Sequence, residues 1–175
     1  MKVDPSLIHR LFYPQVPLVM AAQLGKRVSA MPVVSYASLS DVPPLIGVAC
    51  NPQGFTCKLA VRANSFSLCI LDSGHAEAIT RLATVHGTTI KDKLADAGLK
   101  YSMGTKLEVP LLDDAAASLE CSLKSKKKLG DHLLLVGQVR AAHSMKSFTD
   151  FWDFRRYRPL LYTGWRGGLT TYPGA

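Results

Sequence analysis

The chain has 175 residues, of which 47% are hydrophobic and 19% charged, and it carries a net charge of +8. This length suits one domain with a single buried core and is too short for two, so we expect one domain over residues 1–175. Residues 1–10 lack the apolar block of a signal peptide, and the longest apolar run, residues 17–22, is far below the ~20 residues of a membrane span, which predicts a cytoplasmic protein without a membrane partner.

The first elements are a hairpin, a short strand and a helix. Residues 17–24 are apolar and β-prone, and a two-residue turn beginning at Gly25 returns the chain into a second strand. Residues 45–49 form a continuously apolar strand bounded by prolines. Thr56 is the expected N-cap of a helix that runs through residue 63 and ends at Asn64.

Residues 29–58 read SAMPVVSYASLSDVPPLIGVACNPQGFTCK, and their first part is poor in large side chains. Small residues such as Ala30 and Ser35 let a flat ligand approach the main chain, although a tight crossing of strands would select the same residues. The expected helix start near Thr56 follows a glycine-containing loop, which suits a phosphate because first-turn N–H groups are unsatisfied. The sequence therefore indicates a candidate ligand site in this stretch.

The second half of the chain is also rich in strands. Its predicted elements are strands over 66–71, 118–129 and 132–143, a helix capped by Ser73, and a helix over 90–97 that ends at Gly98. Gly130 and Asp131 predict a tight turn between the two long strands. The pattern favours a closed or half-open antiparallel barrel over alternating βαβ units. Residues 144–175 are aromatic and basic and are expected to form a C-terminal arm that packs on the domain or on a second subunit.

The densest basic run is KSKKK at residues 124–128, at the end of a strand whose polar residues alternate with apolar ones. Nucleic-acid binding would place aromatic residues among the lysines, and none lie there, so no nucleic-acid partner is expected. We interpret the run as a solvated face, with docking of an acidic protein or a dinucleotide phosphate as alternatives.

The four cysteines, Cys50, Cys57, Cys69 and Cys121, form no C-x-x-C pair and no zinc-type spacing with histidine. We expect reduced thiols and no metal site, with a redox role for Cys50 or Cys57 as the alternative. Hydrolase triads, HExxH, P-loop and Rossmann motifs are also missing from the sequence. These features favour chemistry that is carried out by a bound cofactor.

Several short motifs occur in the order found in one protein family. They are Tyr13-Pro14, Ala30-Met31-Pro32, DVPPL at residues 41–45, Gly47-Val48, Phe55-Thr56, Ala97-Gly98-Leu99, Leu119-Glu120-Cys121, Gly130-Asp131-His132 and Leu161-Tyr162. In this order the chain resembles the flavin reductase-like family of FMN-binding split barrels, which includes flavoredoxins. The resemblance implies a mainly β fold with short helices, an antiparallel Greek-key-like split β-barrel, and a homodimer with its cofactor sites near the subunit interface.

The resemblance also implies the parts of an FMN site. The residues expected along the flavin ring and the ribityl chain are Ala30, Met31, Pro32, Val33, Ser35, Ser38, Ala49, Cys50 and Asn51. Thr56 with Lys58 would hold the phosphate at the helix start, and Phe55 is a further expected cofactor-binding residue. Family members often have an arginine before the aromatic-Thr pair, whereas this chain has Gln53-Gly54, so Lys58, Lys91 or Lys93 is expected to substitute.

Three further groups complete the implied site. Gly87, Lys91, Asp92 and Lys93 match a segment that approaches the cofactor from the same or the second subunit, and a solvated helix face is the alternative for the two lysines. His132 is the candidate catalytic residue at the barrel mouth, or else a structural histidine. Trp165 is a candidate lid over the ring, or else a C-terminal core anchor.

The activity implied by the resemblance is transfer of hydride from NAD(P)H to FMN, which then reduces free flavin, ferric complexes or another acceptor. One alternative is a flavoredoxin-type carrier that receives electrons from a protein partner. Another is a barrel that binds haem, nucleic acid or a protein without catalysis.

Overall fold

A computed structural model describes residues 2–146, 148–164 and 168–171. The strands are β1 (Leu18–Leu24), β2 (Arg27–Val33), β3 (Tyr36–Ser40), β4 (Leu45–Cys50), β5 (Ser65–Ile70), β6 (Tyr101–Met103), β7 (Pro110–Leu112), β8 (Ala117–Leu129), β9 (His132–Ser144), β10 (Leu160–Tyr162) and β11 (Leu169–Thr171). The α-helices are α1 (Phe55–Ala63), α2 (Ala76–Thr84) and α3 (Lys93–Asp96), and 3-10 helices span Pro5–Phe12 and Ser73–His75.

Seven strands form one antiparallel sheet in the order β2-β1-β5-β8-β9-β4-β3. The chain passes directly from β2 at one end of this sheet to β3 at the other, and β2 also contacts β4. Because the two ends of the sheet meet there, the sheet curls into a barrel rather than staying open. The predicted fold class, mainly β with short helices in an antiparallel barrel, is confirmed.

Both predicted hairpins are present. Leu24 pairs with Arg27 across the first turn, where Gly25 has φ 58°, and Leu129 pairs with His132 across the second, where Gly130 has φ 57°. Only glycine adopts such angles without steric cost, which explains why these two turns could be recognised in the sequence.

Side chains from alternate positions of β1 and β5 enter two separate hydrophobic clusters. Met20 and Phe66 belong to the cluster that also contains the buried residues of α1, whereas Val19 and Cys69 belong to the cluster that α2 and α3 cover. The period-two alternation of a strand sends neighbouring side chains to opposite faces of the sheet. As a result α1 packs on one face of β1 and β2, and α2 and α3 pack on the other.

Two predicted helix caps are wrong. The N-cap of α1 is Gly54, and Thr56 is instead the second residue of the helix, with its hydroxyl 2.8 Å from that of Ser29. Asp72 rather than Ser73 caps the 3-10 helix Ser73–His75 that leads into α2, and its side chain accepts from the N–H of Gly74. Glycine is an acceptable N-cap and aspartate a strong one, so both substitutes are physically reasonable.

Helix α3 is shorter than predicted, whereas α1 ends at the predicted residue. Residues 90–92 lie outside α3, because the side chain of Asp92 caps that helix through the N–H groups of Leu94 and Ala95. Asn64 ends α1 in the left-handed conformation, at φ 56°. This conformation is tolerated by asparagine better than by most residues.

The basic run and the arm follow their predictions in part. Residues 124–128 lie on the far half of β8 and are all exposed, which is compatible with a solvated face and with the docking alternatives. In the arm, Tyr157 is buried and the Trp152 ring packs on it with centroids 4.5 Å apart, whereas Phe151 is exposed, so only part of the arm packs within the chain. Trp165 lies outside the described residues. Every helix in the described ranges is too short or too polar to cross a bilayer.

Candidate functional site

A cavity of about 420 Å³ lies where the end of β2, the start of α1, the end of α2 and the following loop meet. Seven residues that were predicted to bind the cofactor line it: Met31, Pro32, Asn51, Phe55, Thr56, Gly87 and Lys93. These residues come from four separate parts of the sequence. Their convergence on one cavity is the main structural support for the predicted site.

A second cavity of about 360 Å³ adjoins the first, and Pro32 and Ala83 line both. Its far side is formed by Tyr13 and Tyr162, whose rings pack edge to face with centroids 5.0 Å apart. Because they share these two residues, the two cavities are described together as one groove. The polar end of the groove is the end at α1, where the helix start and Lys93 lie, and the other end holds Tyr13 and Tyr162.

The start of α1 supplies donors at the polar end of the groove. Its N-cap, Gly54, has no side chain, and no side-chain cap bonds to the first turn. The first-turn N–H groups are therefore left without intrahelical partners, and the helix dipole adds partial positive charge beside the cavity. This arrangement suits a phosphate or another anion.

Lys93 brings a positive charge to the same cavity. Its residue is only 5% exposed, and no hydrogen bond or ion pair engages its ammonium group within the described ranges. Burial lowers the pKa of Lys93, and the nearby carboxylate of Asp96 opposes this only in part. A cation that is partly desolvated and has only Asp96 as a compensating charge is expected to gain from an anionic ligand.

Asp92 positions Lys93, and its own contact with the cofactor stays a prediction. One carboxylate oxygen accepts from two main-chain N–H groups of α3, and the other accepts from the hydroxyl of Tyr101 at 2.7 Å. The N–H of Val28 on β2 donates to the carbonyl of Lys91, which ties this segment to the sheet. Asp92 therefore fixes the start of the helix that carries Lys93.

Gly87 lies in very close contact with the opposite wall. A Cβ at this position would stand 2.5 Å from Ser29 Oγ and 2.9 Å from a ring carbon of Phe55. Arg27 holds the loop in place by donating to the carbonyls of Gly87 and Thr88, while its guanidinium lies 5.1 Å from the centre of the Phe55 ring. Only glycine fits at position 87, because any side chain would overlap with Ser29 and Phe55.

The other predicted site residues lie elsewhere and stay predictions. The side chains of Ala30, Val33 and Cys50 are buried in the hydrophobic clusters. Those of Ser35, Ser38, Ala49 and Lys91 do not line the two cavities of the groove. Lys58 is exposed and donates to Gln53, itself a lining residue, so it stands at the rim. His132 is exposed at its turn and pairs with Asp131 at 2.7 Å, outside the groove.

Sequence reasoning missed several residues of the groove. His86, Val85 and Thr88 surround Gly87 in the loop after α2, and Leu82 and Ala83 belong to the end of α2 itself. The motif match at Gly87 could have directed attention to its neighbours. Arg27 follows the first hairpin turn and gave no sequence signal, because its partners lie some sixty residues away.

Comparison with known proteins gives a family match and several relatives. Residues 9–164 match the family described as "Flavin reductase like domain". An uncharacterised protein of Aeropyrum pernix is 30% identical over 164 residues, which cover 93% of this chain but only 62% of that protein. A flavin reductase of Pseudomonas putida is 27% identical over 141 residues, with 79% of each chain covered.

Two further similarities concern flavin nucleotides. An NADH-dependent FMN reductase of Streptomyces nodosus is 27% identical over 126 residues, which cover 70% of this chain and 65% of that protein. The crystal structure of an FMN-binding protein from Thermus thermophilus with bound 1-cyclohex-2-enone superimposes with a TM-score of 0.82 at 29% identity, and covers 100% of this chain and 94% of that one.

Proposed function

Because this chain belongs to the flavin reductase-like domain family, we propose that it is an FMN-dependent oxidoreductase that passes electrons from NAD(P)H to an acceptor. The acceptors we propose are free flavin, ferric complexes or another electron acceptor. The names of relatives in the family, which include flavin reductases and an NADH-dependent FMN reductase, support this reading.

The observation that carries the proposal is the asymmetry of the groove. The start of α1, which has no side-chain cap, and the ammonium of Lys93 meet at one end, and a wall with two tyrosines lies at the other. FMN has the matching asymmetry, since a dianionic phosphate and a flat ring stand at opposite ends of its ribityl chain. The residues present therefore fit FMN.

FMN, when bound, would supply the hydride acceptor and electron donor of the reaction. The contribution of the chain is binding and orientation. The N–H groups of α1 and the ammonium of Lys93 would neutralise the phosphate, and Asp92 and Tyr101 would keep that ammonium in place. The apolar end, with Tyr13 and Tyr162, would limit access of water beside Pro32.

The proposal is tested by anaerobic titration of the purified protein with FMN, followed by NADH or NADPH. The expected result is a bound flavin spectrum that bleaches on addition of a nicotinamide and returns on addition of an acceptor. Failure to bind any flavin would overturn the proposal and would leave a binding module without catalysis as the reading.

A second candidate function is a flavoredoxin-type carrier that takes electrons from a protein. The exposed lysines at 124 and 126–128 favour it, because a dense positive face accelerates encounter with an acidic redox protein. Bleaching of bound flavin by a reduced acidic donor protein, but not by NADH or NADPH, would select this function.

We also propose that the protein acts as a homodimer. Phe12 and Phe151 are 70% and 65% exposed, and a second subunit that packs on these rings would remove their apolar surface from water. Light scattering at several concentrations should give twice the chain mass, and a chain mass throughout would refute a dimer.

A further inference from the structure

We propose that Cys50 and Cys57 form a site of reversible disulfide formation that closes the loop lining the polar end of the groove. Their sulfur atoms lie 2.9 Å apart, and both thiols are free. All but one of the six residues between them line the cavity. The inference requires no bound flavin and therefore stands or falls separately from the proposed function.

The two cysteines are held by rigid elements at the two ends of the loop. Cys50 is the last residue of β4, where it pairs with Leu133 of β9, and Cys57 lies in the first turn of α1. Their residues are 4% and 1% exposed, and both belong to the same hydrophobic cluster. A disulfide needs the sulfurs to move from 2.9 Å to about 2.0 Å, which requires only a small adjustment of side chains.

The environment of the pair distinguishes the attacking sulfur from the resolving one. The S–H of Cys50 donates to the sulfur of Cys57, and this bond, with burial, raises the pKa of Cys50. The same bond, helped by the charge of Lys58, lowers the pKa of Cys57 against the opposing effect of burial. The position of Cys57 in the first turn of α1 also favours its thiolate.

We take hydrogen peroxide as the oxidant, because only a small molecule can reach a thiol that is 1% exposed. The thiolate of Cys57 attacks one peroxide oxygen, so that an S–O bond forms, the O–O bond breaks, and the leaving hydroxide takes a proton to become water. The sulfur of Cys50 then attacks the sulfenic sulfur of Cys57, the S–S bond forms, and a second water leaves with the proton of Cys50. Two thiols and one peroxide give one disulfide and two waters, and a small dithiol reverses the change.

The other two cysteines supply an internal control. Cys69 lies opposite Ser118 on β8, whereas Cys121 is three residues further along that strand, or about 10 Å. The two thiols also belong to different hydrophobic clusters. This separation exceeds the distance that a disulfide can span, so they cannot form one without unfolding.

The test is treatment of the folded protein with one equivalent of hydrogen peroxide, followed by intact-mass measurement and non-reducing peptide mapping. We expect the loss of two hydrogen atoms, a disulfide between Cys50 and Cys57 that joins the two fragments made by chymotryptic cleavage after Phe55, and full reversal by dithiothreitol. We also expect the thermal midpoint to rise by about 5 °C or more, because the cross-link closes a loop between fixed elements.

Matched variants sharpen the result. Cys57→Ser should abolish the cross-link, and Cys121→Ser should leave it intact. A cross-link that involves Cys69 or Cys121, or stable sulfinic acid at Cys57 without any disulfide, would overturn the proposal. Because the cross-link is mapped in the unmodified sequence, the test remains decisive even if a variant fails to fold.

Discussion

Replacement of Lys93 by methionine should separate recognition of the phosphate from recognition of the flavin ring. Methionine keeps an unbranched side chain of similar length and removes the charge. A hydrogen bond to a charged group is worth about 2 kcal/mol, which corresponds to a loss of about 30-fold in affinity for FMN. Riboflavin has no phosphate, so its affinity should change by less than about twofold on the same reasoning.

Lys93→Met should weaken FMN binding, but it should not lower the stability of the ligand-free protein. Burial lowers the pKa of Lys93, which means that the folded state holds this proton less tightly than the unfolded chain does. The charged lysine therefore costs stability at neutral pH, and this cost shrinks as pH rises through its folded pKa. Lys93→Met should leave the thermal midpoint of the ligand-free protein unchanged or higher, and FMN affinity of the unmodified protein should fall as that pKa is passed.

Isothermal titration calorimetry with FMN and riboflavin measures both effects. Lys91→Met is the matched control, because Lys91 is exposed and close in sequence but does not line either cavity of the groove. Equal losses for FMN and riboflavin would refute the assignment of the phosphate end. A larger FMN loss from Lys91→Met than from Lys93→Met would refute the choice of lysine.

Three further substitutions test the walls of the site and the barrel beneath it. Gly87→Ala should cost about 1–3 kcal/mol of stability, because its Cβ would meet Ser29 Oγ at 2.5 Å, and a chemical denaturation curve that does not shift would contradict this contact. Thr56→Val should lower stability by about 1–3 kcal/mol, because it leaves the buried Ser29 hydroxyl without its partner. Adding Ser29→Ala should recover part of that loss. Simple additivity of the two stability changes would argue against the hydrogen bond between Ser29 and Thr56. Burial raises the pKa of Glu120, but hydrogen bonds from His143 and three main-chain amides outweigh this and hold it at about 2. Because that pKa lies below the ordinary 4.5, about 3 kcal/mol of stability should be present above pH 4.5 and lost as pH falls towards 2. Glu120→Gln should remove most of this acid dependence, as measured by denaturation curves at several pH values.

The turns and strands were predictable because their signals are local. Gly25 and Gly130 each stand where a two-residue hairpin needs a positive φ, and the flanking residues alternate as strands do. Asn64 predicted the end of α1 because asparagine also tolerates a positive φ. In each case a few neighbouring residues determine the backbone conformation.

The helix starts were harder to predict, because several residues near each start can serve as the cap. Thr56 and Ser73 have suitable hydroxyls, yet the structure uses Gly54 and Asp72. The hydroxyl of Thr56 instead bonds to Ser29 on β2, a residue far away in the sequence. Such a tertiary partner cannot be seen in a local pattern.

The choice among the basic residues of the site also depended on tertiary structure. Lys58, Lys91 and Lys93 were equivalent in the sequence, and only the fold shows that Lys93 alone of the three is buried against the cavity. Asp92 explains this position, since its carboxylate fixes the short helix that carries Lys93. Burial of a cation depends on several elements at once, and no one segment of the sequence encodes it.

The most direct test of the account is a crystal structure of the protein grown with FMN. We expect the phosphate to lie within hydrogen-bonding distance of the Lys93 ammonium and of the first-turn N–H groups of α1, with the flavin ring extending past Pro32. A flavin whose phosphate lies elsewhere, or a groove that remains without flavin at saturating FMN, would contradict it.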